Sequence, residues 1–184
     1  MSEDRRALIL DAAIKLLERE GAAALKQTRV AQEAGVEQGH LTYYFPKKAD
    51  LVLAVFARAG ERTREDIARM VARSSTHSPK RRFFEVAAAL AKDRKRTRLL
   101  LALIVESQGD PDVARPIAEN IRMQRQAIGA LLGRSEDDLE VELALAALKG
   151  IGLEQMVLGT PPDHVDALVA QLEKWLVRGT GRNA

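Results

Sequence analysis

The stretch Gln27–Phe45 reads QTRVAQEAGVEQGHLTYYF, and its spacing decides the fold. Val30, Ala31 and Ala34 recur at helical intervals, so a short helix runs up to Gly35, a residue that tolerates the left-handed backbone of a tight turn. Val36 is the apolar residue just past that turn. Leu41, Tyr44 and Phe45 then follow at i, i+3 and i+4, which gives a second short helix one buried face. Two short helices that cross steeply need a small residue at their contact, and Ala31, four before Gly35, supplies it. Gln38, Gly39, His40, Thr42 and Tyr43 lie between the buried positions and point outward. They are small, polar or amphipathic, the composition of a surface that touches base edges and phosphates.

Working outward, Ile9, Ala12, Ala13, Leu16 and Leu17 form one apolar stripe on a helix over about Asp4–Glu20, closed by Gly21, which should buttress the pair. Pro46 ends the second short helix. A long helix is expected over about Lys48–Arg73, with Leu51, Val52, Val55, Phe56, Ala59, Ile67, Met70 and Val71 inward. With ILDAAIKLLEREG before the central stretch and YYFPKKADLVLAV at and beyond its end, the pattern A-x-x-A-G-V-x-x-G-x-L-x-x-Y-F-x-x-K resembles the DNA-binding domain of the tetracycline-repressor (TetR) family of transcription regulators. That likeness covers the first quarter of the chain. The remainder resembles the family in helical make-up and length.

The resemblance implies an all-α fold: an N-terminal three-helix helix-turn-helix domain over residues 1–47 and a C-terminal helical effector-binding and dimerisation domain over residues 48–184, about nine helices in all. It implies a homodimer in which the last two helices pair with their copies. Two heads would then sit roughly 34–36 Å apart on a near-palindromic operator in double-stranded DNA. An unidentified small-molecule effector would release a repressor from that operator, the long fourth helix carrying the tilt. The DNA-facing set is Lys26, Gln27, Thr28, Arg29, Gln38, Gly39, His40, Thr42, Tyr43, Tyr44, Lys47 and Lys48. Candidate effector-binding residues are Phe83, Phe84, Leu103, Glu106, Ser107, Arg122, Arg125 and Gln155, and with so few aromatics there an aliphatic ligand suits them better than a flat multi-ring one.

Three positions depart from the family pattern. Lys26 stands where Ser or Thr usually caps the first short helix, and Lys47 precedes Lys48 where a Ser, Asn or Asp cap is common. A missing cap costs on the order of 1 kcal/mol, and a lysine at a helix start faces the positive end of the dipole. A DNA phosphate is the anion expected to offset both. Thr42 replaces a frequent Tyr, leaving a phosphate or thymine-methyl contact in place of the aromatic one.

Net charge is +3 overall but zero over residues 1–50, +8 over 51–100 and −5 thereafter. The reading head is therefore not basic as a whole. Its cations Lys26, Arg29, Lys47 and Lys48 nonetheless cluster at helix starts, while most of its acids fall on the preceding helix, so placement outranks the sum.

Beyond a polar loop at Ser74–Pro79, helices are expected over about Lys80–Asp93, Leu99–Gln108, Pro111–Leu132, Glu136–Leu158 and Pro162–Val177. The basic run KDRKRTR (Lys92–Arg98) reads as a solvated helix end or loop, GDPD as a turn with Asp110 capping, and Ser135 as the cap of the next helix. That helix is apolar on most sides and must be covered on more than one face. The last one carries the lone Trp175.

The chain has no cysteine, which excludes disulfides and thiol nucleophiles and fits a cytoplasmic protein. No signal peptide is recognised, and the longest apolar run, Leu99–Val105, is too short to span a bilayer, so no membrane partner is expected. His40, His77 and His164 share no metal-ligand spacing. No nucleophile, base and acid come together and no phosphate-binding glycine loop occurs, so neither an enzyme nor a bound cofactor is expected. The alternative is an all-helical protein-interaction module that keeps the fold without sequence-specific DNA binding.

Overall fold

The computed structural model describes residues 2–108 and 110–179. They form α1 (Ser2–Glu20), α2 (Gln27–Ala34), α3 (Gln38–Tyr44), α4 (Lys48–Arg73), α5 (Pro79–Lys92), α6 (Arg94–Ser107), α7 (Pro111–Leu132), α8 (Leu139–Leu158) and α9 (Pro162–Gly179), with one 3-10 turn, Ala22–Ala24, after α1. No strand occurs among the described residues, so the protein is all-α as its periodicity predicts.

Two compact units are present: one gathers the residues up to Asp66 with Arg98–Ala118, the other Ile67–Thr97 with the residues from Glu119 on. In the first, the apolar stripe of α1 is wholly inside: Ile9, Ala12, Ala13, Leu16 and Leu17 are all buried. Ile9, Ala13, Leu16 and Leu17 pack with Val30 and Ala31 of α2, Leu41 and Phe45 at α3, and Leu51, Val52 and Val55 of α4. Burying each of the larger side chains contributes about 1.5–3 kcal/mol. In the second unit, Phe84 and Ala88 of α5 meet Ile128 and Leu132 of α7, Val141, Ala144 and Leu145 of α8, and Val169, Leu172 and Leu176 of α9.

The structure changes three sequence expectations. Helix α6 starts at Arg94, within the basic run, because its arginines have internal work. Arg98 Nη1 donates to the carbonyls of Glu18 and Arg19 at 2.9 and 2.8 Å, closing the end of α1, and Arg94 Nη2 donates to the Met156 carbonyl at 2.9 Å near the end of α8. Cations at carbonyl-rich helix ends oppose the dipole's negative pole. The run is therefore the junction of two helix ends, with Lys95 exposed and Lys92, Arg94 and Arg98 held by partners.

Helix α8 starts at Leu139, later than expected, because Asp138 wins the cap. Its Oδ1 accepts the Glu140 N–H at 2.8 Å while Arg134 holds Oδ2 at 2.9 Å, and these two partners, the backbone N–H first, keep its carboxyl below the usual range. The Ser135 hydroxyl receives the Asp137 N–H at 3.4 Å in the preceding turn. Val71, expected inward, is exposed near the end of α4. In the GDPD turn, Gly109 lies outside the described residues, and Asp110 Oδ1 accepts the Asp112 N–H at 3.0 Å as a capping residue should.

Candidate nucleic-acid interface

The turn between α2 and α3 closes as its glycine predicts. Gly35 has φ 64°, its N–H reaches the Gln32 carbonyl at 3.2 Å, and the Val36 N–H reaches back to the Ala31 carbonyl at 3.0 Å. This double closure satisfies two orphan carbonyls and folds Val36 onto the core. Behind α3, Leu41 and Phe45 are almost fully buried. Gln27 Nε2 donates to the Phe45 carbonyl at 2.8 Å, tying the start of α2 to the end of α3, and the Arg6 guanidinium lies 5.5 Å from the Phe45 ring centroid. The seven-residue helix is thus held by its neighbours, as its length requires, since so short a helix has no independent stability.

Its outer side is open. Gln38, Gly39, His40, Thr42 and Tyr43 are all exposed, Tyr43 at 80% of its surface. Thr42 Oγ1 donates to the Gln38 carbonyl at 3.0 Å, which uses its hydroxyl hydrogen. Tyr44 is half-buried against the core, edge-on to Tyr43 with ring centroids 5.3 Å apart. Gly39 sits in the helix with nothing within 4 Å of where a Cβ would lie. Glycine is a poorer helix former than alanine, and no packing among the described residues requires it here.

Of the four cations expected at phosphates, two already have partners. Arg29 pairs with Glu20 at 2.7 Å, within a network in which Arg19 also holds Glu20 and Glu33, at 2.8 and 3.0 Å. These arginines, Arg19 first, hold the Glu20 carboxyl below its ordinary range. Lys48 pairs with Glu106 of α6. Lys26 and Lys47 are exposed, without an ion pair among the described residues. The expected lack of a cap at α4 is met from within: the Lys47 N–H donates to Asp50 Oδ2 at 2.9 Å, the returning half of a capping box. Asp50 was not recognised from sequence, although an acid three residues after a helix start is its signature. The helix start therefore has its anion without DNA. Lys26 begins α2 with no side-chain cap, and Thr28 is exposed in its first turn.

The expected effector residues fall in two groups. Leu103 is buried in the first unit, with Glu106 on Lys48 and Ser107 Oγ donating to the Ile104 carbonyl at 2.7 Å. Phe83 and Phe84 stand edge-to-face in the second unit, centroids 5.1 Å apart, where Arg122 is exposed, Arg125 pairs with Glu142, and Gln155 is buried with its Oε1 unpartnered among the described residues.

A short helix, a glycine turn and a second helix open on one side, in an all-α chain, define a helix-turn-helix protein. The family model described as "Bacterial regulatory proteins, tetR family" matches residues 9–55, and that of the "Tetracyclin repressor-like, C-terminal domain" matches residues 81–174. The chain belongs to the TetR family of transcription regulators. Among solved structures it is similar to a TetR family member from Streptomyces coelicolor A3, at 29% identity over 91% of this chain and 97% of that one, with TM-score 0.68. It is also similar to the multidrug binding protein EbrR complexed with imidazole, at 29% identity over 92% and 89% of the two chains, TM-score 0.66. A transcriptional regulator from Rhodococcus sp. Rha1 shares the fold with TM-score 0.83 at 17% identity, over 95% and 96%. No curated protein sequence matches it. No described helix is long and apolar enough to cross a membrane.

Proposed function

We propose that this protein is a homodimeric repressor that leaves a near-palindromic operator when a small-molecule effector binds. Residues 1–47 would read DNA and residues 48–184 would bind the effector and dimerise, without catalysis, in the cytoplasm. The observation that carries the reading is the head itself: α3 buries Leu41 and offers Gln38, Gly39, His40, Thr42 and Tyr43 to the outside. Gly39, which the chain's own packing does not need, lets a duplex approach the helix closely. Lys26 and Lys47, without an ion pair among the described residues, suit phosphates, with Thr28 and Tyr43 as further hydrogen-bond donors. Arg29 and Lys48 would have to exchange Glu20 and Glu106 for phosphate. Gln27 supports the head from behind.

The dimer face follows from α8. Leu139, Leu143, Ala146, Gly150, Leu153 and Val157 recur at spacings of three and four, the seam of paired helices. Within one chain the four larger residues stay exposed, Leu139 at 73% and Val157 at 66%, and exposed Trp175 of α9 adds to the apolar surface. Gly150 has nothing within 4 Å of a would-be Cβ, which suits a close helix crossing with a second copy. Ligand responsiveness draws support from EbrR, a multidrug binding protein of the same fold seen with imidazole.

The test is binding of promoter duplex to the full chain, followed by fluorescence anisotropy across salt concentrations. A dimer that loses affinity steeply with salt supports the reading, because phosphate contacts release counterions. Binding that ignores salt and sequence would favour the interaction-module alternative, which the neutral charge of residues 1–50 suits.

A further inference from the structure

Lys48 is expected at a DNA phosphate, yet a carboxylate of the chain itself already occupies it. Its ammonium pairs with Glu106, near the end of α6. Each partner stands three residues from a core side chain. Leu51, after Lys48 on α4, and Leu103, before Glu106 on α6, are both fully buried in the core of the first unit. Residues three apart share one flank of a helix, so the pair sits at the rim of that core. The two side chains differ in freedom: that of Lys48 is 54% exposed and can turn outward, while that of Glu106, at 13%, is largely covered.

Arg29, the other paired cation of the head, is in a different position. Its partner Glu20 is also held by Arg19, so Glu20 keeps a cation when Arg29 turns to a phosphate. Glu106 has no second ion pair among the described residues. Moving Lys48 to DNA therefore leaves a largely covered carboxylate without its cation, beside a phosphate of the same sign. Removing one partner of an ion pair costs more the less water reaches the charge left behind. Lysine is a compact charge on a flexible stem, so the exchange itself is stereochemically easy, and the balance of charges decides it.

We propose that Glu106 is a built-in competitor of the operator phosphate for Lys48 and holds down the DNA affinity of the free protein, an inference that rests on the DNA-reading role given to Lys48 above. When Lys48 leaves, Glu106 collects a cation from solution, so each head liberates fewer counterions than its phosphate contacts number. Glu106 thereby acts on the head, in place of the effector contact expected of it.

The test is fluorescence anisotropy of the full chain on the promoter duplex of its own gene across salt concentrations, for wild type, Glu106→Gln, Lys48→Gln and the double variant. Glutamine keeps the shape of Glu106 and removes its charge, and thermal melting checks that each variant is folded. Glu106→Gln should tighten binding about twofold to fivefold per head and steepen the slope of log K against log salt by about one per head. Lys48→Gln should weaken binding, and most of the gain from Glu106→Gln should vanish in its background.

Unchanged binding by Glu106→Gln overturns the competition. Weaker binding does so too, because the carboxylate would then hold Lys48 in place for the phosphate. A gain of equal size with and without Lys48 also overturns it, since general repulsion of the duplex would be the cause. In these three cases a weakened Lys48→Gln keeps Lys48 among the DNA contacts. If Lys48→Gln binds as tightly as wild type in both backgrounds, Lys48 is no DNA contact and the competition falls with it. A folded wild type that binds no duplex refutes the DNA-reading role itself, and this proposal as its consequence.

Discussion

Helices α3 and α8 each carry a glycine with open space around it, Gly39 in the first turn of one and Gly150 in the middle of the other, and they differ in what the rest of the sequence puts beside it. Around Gly39 stand Gln38, His40, Thr42 and Tyr43, which are polar or amphipathic. Around Gly150 stand Ala146, Leu143, Leu153 and Val157, which are apolar. Gly152, only two residues on, is explained internally because a Cβ there would press on Thr97. The contrast separates two kinds of helical glycine. One serves the chain's own packing, while the other costs helix stability and has no internal return, which marks a face that meets something else. The polar surroundings of the first suit a hydrated, charged duplex, and the apolar surroundings of the second suit a copy of the same helix.

The largest way to break this contrast is to charge the apolar face. Leu143→Asp should leave the monomer folded, since Leu143 is exposed there, and should abolish the dimer in sedimentation at micromolar concentration. DNA affinity should fall with it, because two heads no longer bind as one. A variant that remains dimeric removes α8 from the interface. Next in size, Gly152→Val should cost about 1–3 kcal/mol in chemical denaturation through overpacking against Thr97 and Ala91, with dimer affinity of the folded fraction unchanged. Gly150→Ala is its control and should have the opposite profile: an unstrained chain, a helix stabilised by up to about 1 kcal/mol, and a weaker dimer. If both variants behave alike, the distinction between the two glycines fails.

A smaller effect sharpens where α8 begins. Asp138→Ala should destabilise the chain by removal of the cap. Because the folded carboxyl titrates below its ordinary range, its contribution is fully present above the unfolded pKa and is lost as pH falls through the lowered folded value. The gap between wild type and variant in urea melts should therefore close on acidification and stay constant near neutrality.

Much of the fold is legible because its signals are local. The stripe of α1, the stop at Gly35 and the one-sided apolar positions of α3 are each read within a single turn or two of helix. The open face of the head is legible for the same reason: it is what the buried positions leave over. The start of α6 was not, because the partners of Arg98 lie about eighty residues away at Glu18 and Arg19, and no periodicity within KDRKRTR announces them. The cap of α8 was misplaced because Ser135 and Asp138 are both good caps, and only Arg134, holding the second carboxylate oxygen, tips the choice.

The central claim is that Gly39 exists for a surface outside the chain, and the most direct test reads stability and DNA affinity in one variant. Gly39→Ala should unfold at slightly higher denaturant, while its affinity for promoter duplex at fixed salt falls. A variant that is more stable and binds the duplex as tightly as wild type would contradict the account.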